Sequence, residues 1–393
     1  MPVKELKKGV YTVGVNHRDR KLFDELIPLP DGTSYNAYFI KGSQKNVLLD
    51  TVDPSQDELF KNLEEMKVDR IDYIISHHAE QDHSGRIPDI LKRYPEARVL
   101  TNPKCKDFLM DLLLLSPDQF QVINDGQTLS LGDRTLKFIL APWAHWPETM
   151  LTYLEEDKIL FSCDLFGSHL ATAETFVKDE SKVFEAAKRY YAEIMMPFRA
   201  NIVKHLEKIQ NLKIDLICPS HGPIYDKPSF ILKAYKDWIS DQVKNEVILP
   251  YVSMHGSTQK MADHLTRSLN QKGIHVKPYN LTETDLGQLA ISLVDAASVI
   301  IATPTVLIGP HPAAVYATYL INALRPKIKF FSMIGSFGWG SKAEETIRSM
   351  ITNLKADYLD PVMIKGHPKE ADLKALNDLA ERIYQKHKEL NLL

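Results

Sequence analysis

The sequence predicts an α/β multidomain fold, in which a β-rich first domain is followed by a doubly wound parallel sheet. The chain has 393 residues, which is longer than a single hydrophobic core usually grows. In its first part, short apolar strands run into loops that contain His or Asp, whereas in its second part strands alternate with amphipathic helices. We place the boundary shortly after an amphipathic helix over 230–243, which gives predicted domains of residues 1–246 and 247–393.

Composition and charge exclude several classes of protein. The chain is 44% hydrophobic and 25% charged, as is usual for a soluble globular protein. A net charge of -3 favours neither a nucleic-acid partner nor an anionic membrane surface. No apolar run approaches the roughly 20 residues that cross a bilayer, and residues 1–5 lack a signal-peptide core. We therefore predict a cytoplasmic location.

The first ligand-type cluster follows an apolar strand predicted over 71–75. It contains His78, Glu80, Asp82 and His83, and such groups are rarely buried without partners. In an extended segment His78, Glu80 and Asp82 project to the same side. The alternative is a solvated loop in which Asp82 caps the next helix. The residue types favour a metal site.

Three further ligand-type side chains follow strands in the same way. They are His145 after strand 136–140, Asp164 after strand 158–163, and His221 after strand 214–218. Each alone is better explained as a capping or hydrogen-bonding group than as a metal ligand. Together with the first cluster they predict a site built from loops on a β-scaffold. The predicted metal ligands are His78, Glu80, Asp82, His83, His145, Asp164 and His221.

The second domain begins with a turn that resembles a phosphate cradle. A strand is predicted over 248–253 and a helix over 259–269. Between them, the hydroxyls and backbone N–H groups of residues 253–258 gather at the positive N-terminus of that helix. A Gly-rich turn alone is weak evidence, but strands over 298–302 and 327–333 continue the pattern of a parallel sheet.

Loops after these later strands supply contacts for the ring of a ligand. Such loops lie at the carboxyl ends of strands, where doubly wound sheets bind ligands. Either Phe337 or Trp339 is predicted to lie against a planar ring, although Trp339 could equally pack under its Gly-rich loop. The predicted cofactor-binding residues are Ser253, Met254, His255, Gly256, Ser257, Thr258, Thr303, Pro304, Thr305, Ser336, Phe337, Gly338, Trp339 and Gly340.

These motifs, in this order, resemble those of the flavodiiron proteins, also called A-type flavoproteins, over nearly the whole chain. The resemblance implies a metallo-β-lactamase-like αββα sandwich followed by a flavodoxin-like domain that binds FMN. Glu80 stands where the general metallo-β-lactamase pattern has His, and a carboxylate there favours iron over zinc. By the family pattern, one iron takes His78, Glu80 and His145, while the other takes Asp82, His83 and His221, although some members of the family leave the position of His83 outside the ligand set. Asp164 then bridges the two irons.

The resemblance also implies a function. A flavodiiron oxidoreductase reduces O2 to water, NO to N2O, or both, with FMN relaying electrons to the diiron site. The chain contains no C-x-x-C pair, so we expect a separate electron donor such as rubredoxin, a reduced deazaflavin or a flavin reductase. The family pattern further implies a head-to-tail homodimer, or a dimer of such dimers, that sets the flavin of one subunit beside the irons of the other.

Other side chains near the site are candidates for assisting the chemistry. We predict Tyr191 and His169 as catalytic, with Tyr190 as the alternative to Tyr191. Some relatives carry a His ahead of the segment that contains Tyr35, where this chain has Phe23, Asp24 and Glu25. An acidic residue could therefore replace that His as the proton donor.

Two other classes of protein compete with this interpretation. A zinc-dependent metallo-β-lactamase-like hydrolase with an attached flavodoxin-like domain would attack an ester with hydroxide and would show no redox turnover. An electron carrier with a decayed metal site would have lost at least one ligand. Glu80 and the flavin loops count against the first, and the complete ligand set counts against the second.

Overall fold

The computed structural model describes residues 3–393, which divide into two compact units. The first unit comprises residues 3–191 and 198–239, and the second comprises residues 192–197 and 240–393. Each unit contains its own sheets and its own hydrophobic core. The predicted α/β multidomain class is confirmed.

The first unit contains two large sheets. Its strands are β1 Lys4–Lys7, β2 Val10–Thr12, β3 Val15–His17, β4 Leu22–Phe23, β5 Ile27–Pro28, β6 Thr33–Tyr35, β7 Tyr38–Lys41, β8 Asn46–Leu49, β9 Tyr73–Ile75, β10 Arg98–Thr101, β11 Phe120–Val122, β12 Thr128–Ser130, β13 Thr135–Leu140, β14 Met150–Leu154, β15 Ile159–Cys163 and β16 Leu216–Pro219. A seven-stranded sheet has the order β1-β2-β7-β8-β9-β10-β11, and a five-stranded sheet has the order β12 to β16. The pairs β3–β6 and β4–β5 form small ribbons.

The helices of this unit cover the sheets from outside. They are α1 Glu58–Glu65, α2 Gln81–Ser84, α3 Ile87–Arg93, α4 Pro103–Leu113, α5 Glu180–Tyr190, α6 Arg199–Ile209 and α7 Pro228–Ile239. Helices α1, α3 and α4 pack on the seven-stranded sheet, while α6 and α7 each bury an apolar face of their own. The resulting αββα sandwich is the one implied by the resemblance.

The two-residue period of a strand explains how the seven-stranded sheet serves two cores. Leu48 and Ile74 point toward helices α1, α3 and α4, and their neighbours Leu49 and Ile75 point into the space between the sheets. Successive side chains of a strand face opposite sides. A strand buried on both faces therefore has a continuous apolar sequence. Strand β9 is such a strand, and it ends at Ile75, shortly before the first ligand, His78.

The second unit is an open parallel sheet with helices on its faces. Its strands are β17 Lys244–Tyr251, β18 His275–Asn280, β19 Ala296–Val306, β20 Gly309–Pro310, β21 Phe330–Phe337, β22 Asp357–Tyr358 and β23 Val362–Lys365, and its helices are α8 Ser257–Gln271, α9 Leu286–Leu293, α10 Pro312–Leu324, α11 Ala343–Met350 and α12 Glu370–Glu389. The strand order is β18-β17-β19-β21-β22, with β23 also pairing to β21. Every pair is parallel except β19 with the short β20. This is the 2-1-3-4-5 order of flavodoxin-like sheets.

Some predicted boundaries differ from the structure. Strand β17 begins at Lys244 instead of 248, because Lys244 pairs with Ala296 and Glu246 pairs with His275. The predicted boundary between 246 and 247 falls inside this strand, and the continuous part of the second compact unit begins at residue 240. Helix α7 ends at Ile239 and not at 243. Within residues 3–393, no helix combines the length and the apolar character needed to span a membrane.

Candidate metal centre and cofactor cleft

The end of strand β9 positions the first ligands. After β9 the chain continues through His78 to Glu80, which precedes the short helix α2 and has extended backbone angles of φ -57 and ψ 140. Asp82 and His83 lie inside α2, so the predicted extended segment through Asp82 is wrong. The backbone carbonyl of Glu80 accepts the N–H groups of His83 and Ser84, which closes the helical turn. Asp82 is therefore not a helix cap.

The other ligands come from three separate loops of the same unit. His145 lies in the loop between β13 and β14, and Asp164 follows β15 directly. Cys163, just before Asp164, has a left-handed φ of 50. Gly222, just after His221, has φ +81, and a Cβ there would overlap Ser168. These two turns re-aim the chain at the ends of their strands, so that Asp164 and His221 point into the same buried space.

The structure brings all seven predicted ligands together, in two groups. In the first group, His78 Nε2 and His145 Nε2 lie 3.0 and 3.2 Å from Glu80 Oε2. The same two nitrogens lie 3.6 and 3.5 Å from Asp164 Oδ2. Two ligand atoms bound at about 2.1 Å to one ion, at right angles, are about 3 Å apart. The first group therefore has the spacing of a metal-ligand shell.

The second group lies on the other oxygen of Asp164. His83 Nε2 is 3.1 Å from Asp164 Oδ1, and His221 Nε2 is 3.3 Å from the same oxygen. Asp82 completes the group, at 3.3 Å from each of these two nitrogens. Because its two oxygens face different groups, Asp164 has the arrangement of a carboxylate that bridges two metals.

Unsatisfied atoms show that these residues fit a pair of cations. Both carboxylate oxygens of Asp82 and of Asp164, both ring nitrogens of His83, and Nε2 of His221 are buried without a hydrogen-bond partner among the described residues. Buried polar atoms are normally satisfied, and a set of orphaned ligand atoms converging on one space indicates an ion. Glu80 and Asp82 add hard oxygen donors to the imidazoles, which suits iron.

The electrostatics of the site also favour positive charge. Burial opposes ionisation of His145 and His221, yet the adjacent carboxylates of Asp164 and Glu80 raise the pKa of His145 to about 9. The adjacent carboxylates of Asp164 and Asp82 likewise raise the pKa of His221 to about 10 against burial. Although burial disfavours a charged Asp164, the surrounding histidines hold its pKa well below the usual range. The carboxylates thus stabilise cations at this position.

Groups behind the histidines fix which nitrogen faces the centre. His78 Nδ1 donates to Glu148 Oε1 at 2.7 Å, and His221 Nδ1 donates to the Ser34 carbonyl at 2.7 Å. In both rings Nε2 is left to act as the ligand atom. Sequence reasoning missed Glu148, although it stands three residues after His145 in the same loop. The signal in the sequence that could have indicated Glu148 is its position as the one carboxylate of residues 142–148, a stretch that is otherwise mostly apolar and aromatic.

The predicted catalytic residues occupy different surroundings. His169 Nδ1 lies 2.9 Å from Thr33 Oγ1, while its Nε2 is buried without a partner among the described residues. Its ring packs on that of His221, with centroids 5.0 Å apart. Burial, and then the charge of His221, lowers the pKa of His169 well below its usual range. His169 is therefore a neutral imidazole beside the centre.

Of the two adjacent tyrosines, Tyr190 approaches the centre. The Tyr191 hydroxyl donates to the Trp238 carbonyl at 3.3 Å, which argues against the predicted role of Tyr191. The Tyr190 ring packs on His221 with centroids 5.7 Å apart, and its hydroxyl is buried without a hydrogen-bond partner among residues 3–393. Burial, followed by the negative charges of Asp164 and Asp82, raises the pKa of Tyr190 well above its usual value.

The hairpin of β4 and β5 lies over the second group. The Phe23 ring packs on His169 with centroids 4.7 Å apart and on His221 with centroids 6.3 Å apart. Asp24, at the turn, has a left-handed φ of 51 and remains exposed. Partial loss of hydration, followed by the charges of Glu80 and Asp82, raises the pKa of Asp24 to about 6.

The second unit contains an open cleft of about 160 Å³ at the carboxyl ends of its strands. Its lining is Ser253, Met254, His255, Ser257, Thr258, Pro304, Thr305, Ser336, Phe337, Gly338 and Gly366. Ten of these were predicted from the sequence, and Gly366 was missed because it follows a short edge strand. Trp339 is 82% exposed and does not line the cleft. Thr303 is buried and does not line the cleft, and its Oγ1 accepts the backbone N–H of His311.

One end of the cleft is built to hold a phosphate. Ser253 Oγ accepts the N–H groups of Gly256 and Gln259, each at 3.2 Å, and Gly256 has φ +83 at the start of α8. The N-terminus of a helix presents free N–H groups and a partial positive charge. His367 lies beside this turn, with Nδ1 3.5 Å from Ser257 Oγ and Nε2 3.3 Å from Lys260 Nζ. A dianionic group there would meet hydroxyls, N–H groups and the ammonium group of Lys260.

Comparisons with known proteins agree with this geometry. The family described as ODP family beta lactamase matches residues 33–222, and the family described as Flavodoxin matches residues 249–377. The chain is 34% identical to a nitric oxide reductase of Moorella thermoacetica, over 95% of this chain and 96% of that protein. The solved structure of rubredoxin oxygen:oxidoreductase from Desulfovibrio gigas superposes with a TM-score of 0.94 at 29% identity, covering 98% of this chain and 99% of that one. The flavodiiron protein from Giardia intestinalis superposes with a TM-score of 0.89 at 28% identity, covering 99% and 98%.

A two-metal centre on a β-lactamase-type sandwich, joined in one chain to a flavodoxin-like unit, defines an oxidoreductase that combines a flavin with non-haem metal. The similar proteins identify the family within this class, because this chain and each of them match over nearly their whole length. The chain belongs to the flavodiiron protein family, and its cofactors are FMN and two non-haem irons. The family, the cofactors and the oxidoreductase class predicted from the sequence are confirmed, and the hydrolase alternative is not supported.

Proposed function

We propose that this chain reduces O2 to water, NO to N2O, or both, with electrons that FMN relays from an external donor. The observation that carries the proposal is the pair of ligand groups joined by Asp164, whose buried atoms lack partners of their own. Flavin accepts electrons in pairs and passes them singly, and two irons store two electrons beside a diatomic gas. The names of the relatives support both substrates, since they include a nitric oxide reductase and an oxygen oxidoreductase.

The seven ligand residues assigned here remain part of the proposal. We assign His78, Glu80 and His145 to one iron, Asp82, His83 and His221 to the other, and Asp164 to both. The separation of ligand atoms into two groups supports this assignment. The place of His83 in the second group is supported by its two unpartnered ring nitrogens.

Proton supply falls to side chains at the edge of the centre. Reducing O2 to water consumes four protons and four electrons, and reducing two NO to N2O and water consumes two of each. Tyr190 can donate a hydrogen bond to a molecule at the centre, because its hydroxyl is buried there without another partner. Asp24, at the exposed turn of the hairpin over the second group, can exchange protons with solvent. His169 orients its neighbours as a neutral group.

The cleft of the second unit supports FMN in particular. Its phosphate end contains hydroxyls, free N–H groups and the adjacent Lys260, whereas Pro304, Phe337 and Met254 offer apolar contacts for a ring. Phe337 lines the cleft and is the better candidate for the ring contact, since Trp339 is exposed.

The donor and the assembly also belong to this proposal. We propose a separate donor protein or cofactor, such as rubredoxin or a reduced deazaflavin, and a head-to-tail homodimer. The name of the Desulfovibrio gigas relative supports rubredoxin as one donor. Sedimentation of the loaded protein tests the assembly, and anaerobic reduction by each donor tests the electron source. We also propose a cytoplasmic location, which cell fractionation tests.

Stopped-flow mixing tests the reaction itself. Fully reduced protein, loaded with iron and FMN, is mixed anaerobically with NO and separately with O2, and flavin reoxidation is followed by its absorbance. Fast reoxidation with N2O appearing, or with O2 consumed and no peroxide released, supports the proposal. The control is an Asp164→Asn variant that retains FMN. If wild type and variant reoxidise at the same rate and release the same peroxide, the flavin alone reacts and the proposal is wrong.

A further inference from the structure

Glu148 is a buried carboxylate outside the proposed set of metal ligands. Its side chain is fully buried, and its Oε1 accepts both the Nδ1–H of His78, at 2.7 Å, and the backbone N–H of Ala79, at 3.0 Å. Its own backbone carbonyl accepts from Asn102 Nδ2 at 2.6 Å, which anchors the loop. A carboxylate is rarely buried so deeply without a charge partner. Its position therefore depends on the ring of His78.

The second ligand group lacks such a carboxylate behind its histidines. His221 Nδ1 donates to a neutral backbone carbonyl, that of Ser34, at 2.7 Å. His83 Nδ1 is buried without a hydrogen-bond partner among the described residues. The two groups share Asp164 equally, one oxygen each. The difference between them therefore lies in what supports their histidines.

A negative acceptor strengthens an imidazole as a ligand. A hydrogen bond from Nδ1–H to a carboxylate fixes the tautomer, holds the ring orientation and increases the basicity of Nε2. A neutral carbonyl also fixes the tautomer and the ring orientation, but it increases the basicity of Nε2 less, because it carries no full negative charge. An imidazole with no partner at its second nitrogen has neither its ring nor its tautomer fixed. Donor strength thus decreases from His78 to His221 to His83.

We propose that Glu148 is a positioning residue that makes the His78–Glu80–His145 position the tighter of the two metal positions. The position formed by Asp82, His83 and His221 would then bind iron second on loading and release iron first on removal. This inference rests on the proposed assignment of the metal ligands. Replacing a group behind a metal-bound histidine typically lowers metal affinity about 10- to 100-fold, and we expect Glu148→Gln to do so at one position only.

Iron binding to the full FMN-loaded chain tests this inference. Ferrous iron is titrated anaerobically into metal-free protein in competition with a chromogenic chelator, and the two binding steps are resolved. Wild type is expected to bind two irons in separate steps. In Glu148→Gln the amide oxygen still accepts from His78, so only the charge is lost. The tighter step should weaken about 10- to 100-fold, and the weaker step should stay unchanged.

Asp50 supplies a matched control. It accepts the Nδ1–H of His77 at 2.6 Å and is equally buried, but His77 is not a proposed ligand. Asp50→Asn is expected to leave both binding steps unchanged, with FMN content and circular dichroism reporting that both variants fold. A Glu148→Asp variant should recover part of the lost affinity, since it restores the charge.

The outcomes separate this inference from the proposed function. If wild type binds no iron, the proposed metal assignment fails. If wild type binds two irons and Glu148→Gln binds them with unchanged affinities, the role of Glu148 is wrong. Equal weakening of both steps, or weakening of the second step alone, also overturns it. Mössbauer spectra of the loaded protein give an independent signature, because only one of two iron signals should shift in Glu148→Gln.

Discussion

Both units bury imidazole rings, but they surround them with opposite electrostatics. In the first unit, carboxylates raise the pKa of His221 to about 10 against burial. In the second, His387 is fully buried between Ser298 Oγ and Asn245 Oδ1, at 2.7 and 2.8 Å, and burial lowers its pKa to about 4. One environment favours a cation and the other a neutral ring. Burial of histidine therefore does not define a metal site, whereas several buried imidazoles and carboxylates that converge on one space indicate one.

The largest expected effect comes from removing the shared carboxylate. Asp164→Asn keeps the shape of the side chain but removes the charge that both ligand groups share. We expect the iron content to fall from two per chain to below one, and gas-dependent turnover to fall more than about 100-fold, since even groups behind a ligand are worth about that much. Metal analysis and the stopped-flow assay measure both. An unchanged FMN content shows that the second unit is intact, and two irons retained in the variant would contradict the bridging role.

A pH titration tests the opposite behaviour of His387. Its folded pKa of about 4 lies below the usual value of about 6.5, so the unfolded chain binds a proton that the folded chain does not. Its contribution to stability is complete above about pH 6.5 and falls as the pH drops toward 4, by about 3 kcal/mol in total. Denaturant unfolding of the second unit, followed by FMN fluorescence, should show this slope in wild type. In His387→Gln the slope between these pH values should be lost.

Tyr190 and Tyr191 form a matched pair of adjacent tyrosines. Tyr190→Phe removes a hydroxyl beside the centre, and we expect turnover to fall about 10- to 100-fold, the worth of one hydrogen bond to a charged group. Tyr191→Phe removes the bond to the Trp238 carbonyl, which should lower stability by about 1 kcal/mol and change turnover less than about twofold. Single-turnover rates and thermal unfolding distinguish the two. Equal losses of turnover would remove the distinction drawn between them.

The smallest effect concerns the phosphate end of the cleft. Lys260 is exposed, so its attraction for a phosphate is screened. Lys260→Ala should weaken FMN binding by less than about tenfold, mostly at low salt, and should leave riboflavin binding unchanged. Quenching of flavin fluorescence measures both ligands. Lys272→Ala, at the other end of helix α8, is the control. A loss of riboflavin affinity in Lys260→Ala would show that the lysine contacts the ring and not the phosphate.

These contrasts explain how far the sequence could predict the molecule. The fold class and the cluster of seven ligand-type residues could be predicted, because each ligand follows an apolar strand into a turn and the topology brings strand ends together. The helical turn at Asp82 could not, since it depends on carbonyl bonds at Glu80 that leave no pattern in the sequence. The role of Glu148 could not be predicted either, because its contact with His78 forms only when the loop between β13 and β14 has folded. The choice between Tyr190 and Tyr191 depends on where α5 ends, which periodicity locates only within a residue or two.

The scattering of the ligands along the chain has a consequence for how the centre comes into being. The first group draws on three separate segments, from His78 to Asp164, and the second is complete only with His221. No fragment that ends before His221 holds both groups, and local helices or hairpins alone assemble neither of them. Such contacts between distant parts of a chain form late in folding. Full occupancy by iron therefore requires that the first unit has folded as far as the turn that carries His221.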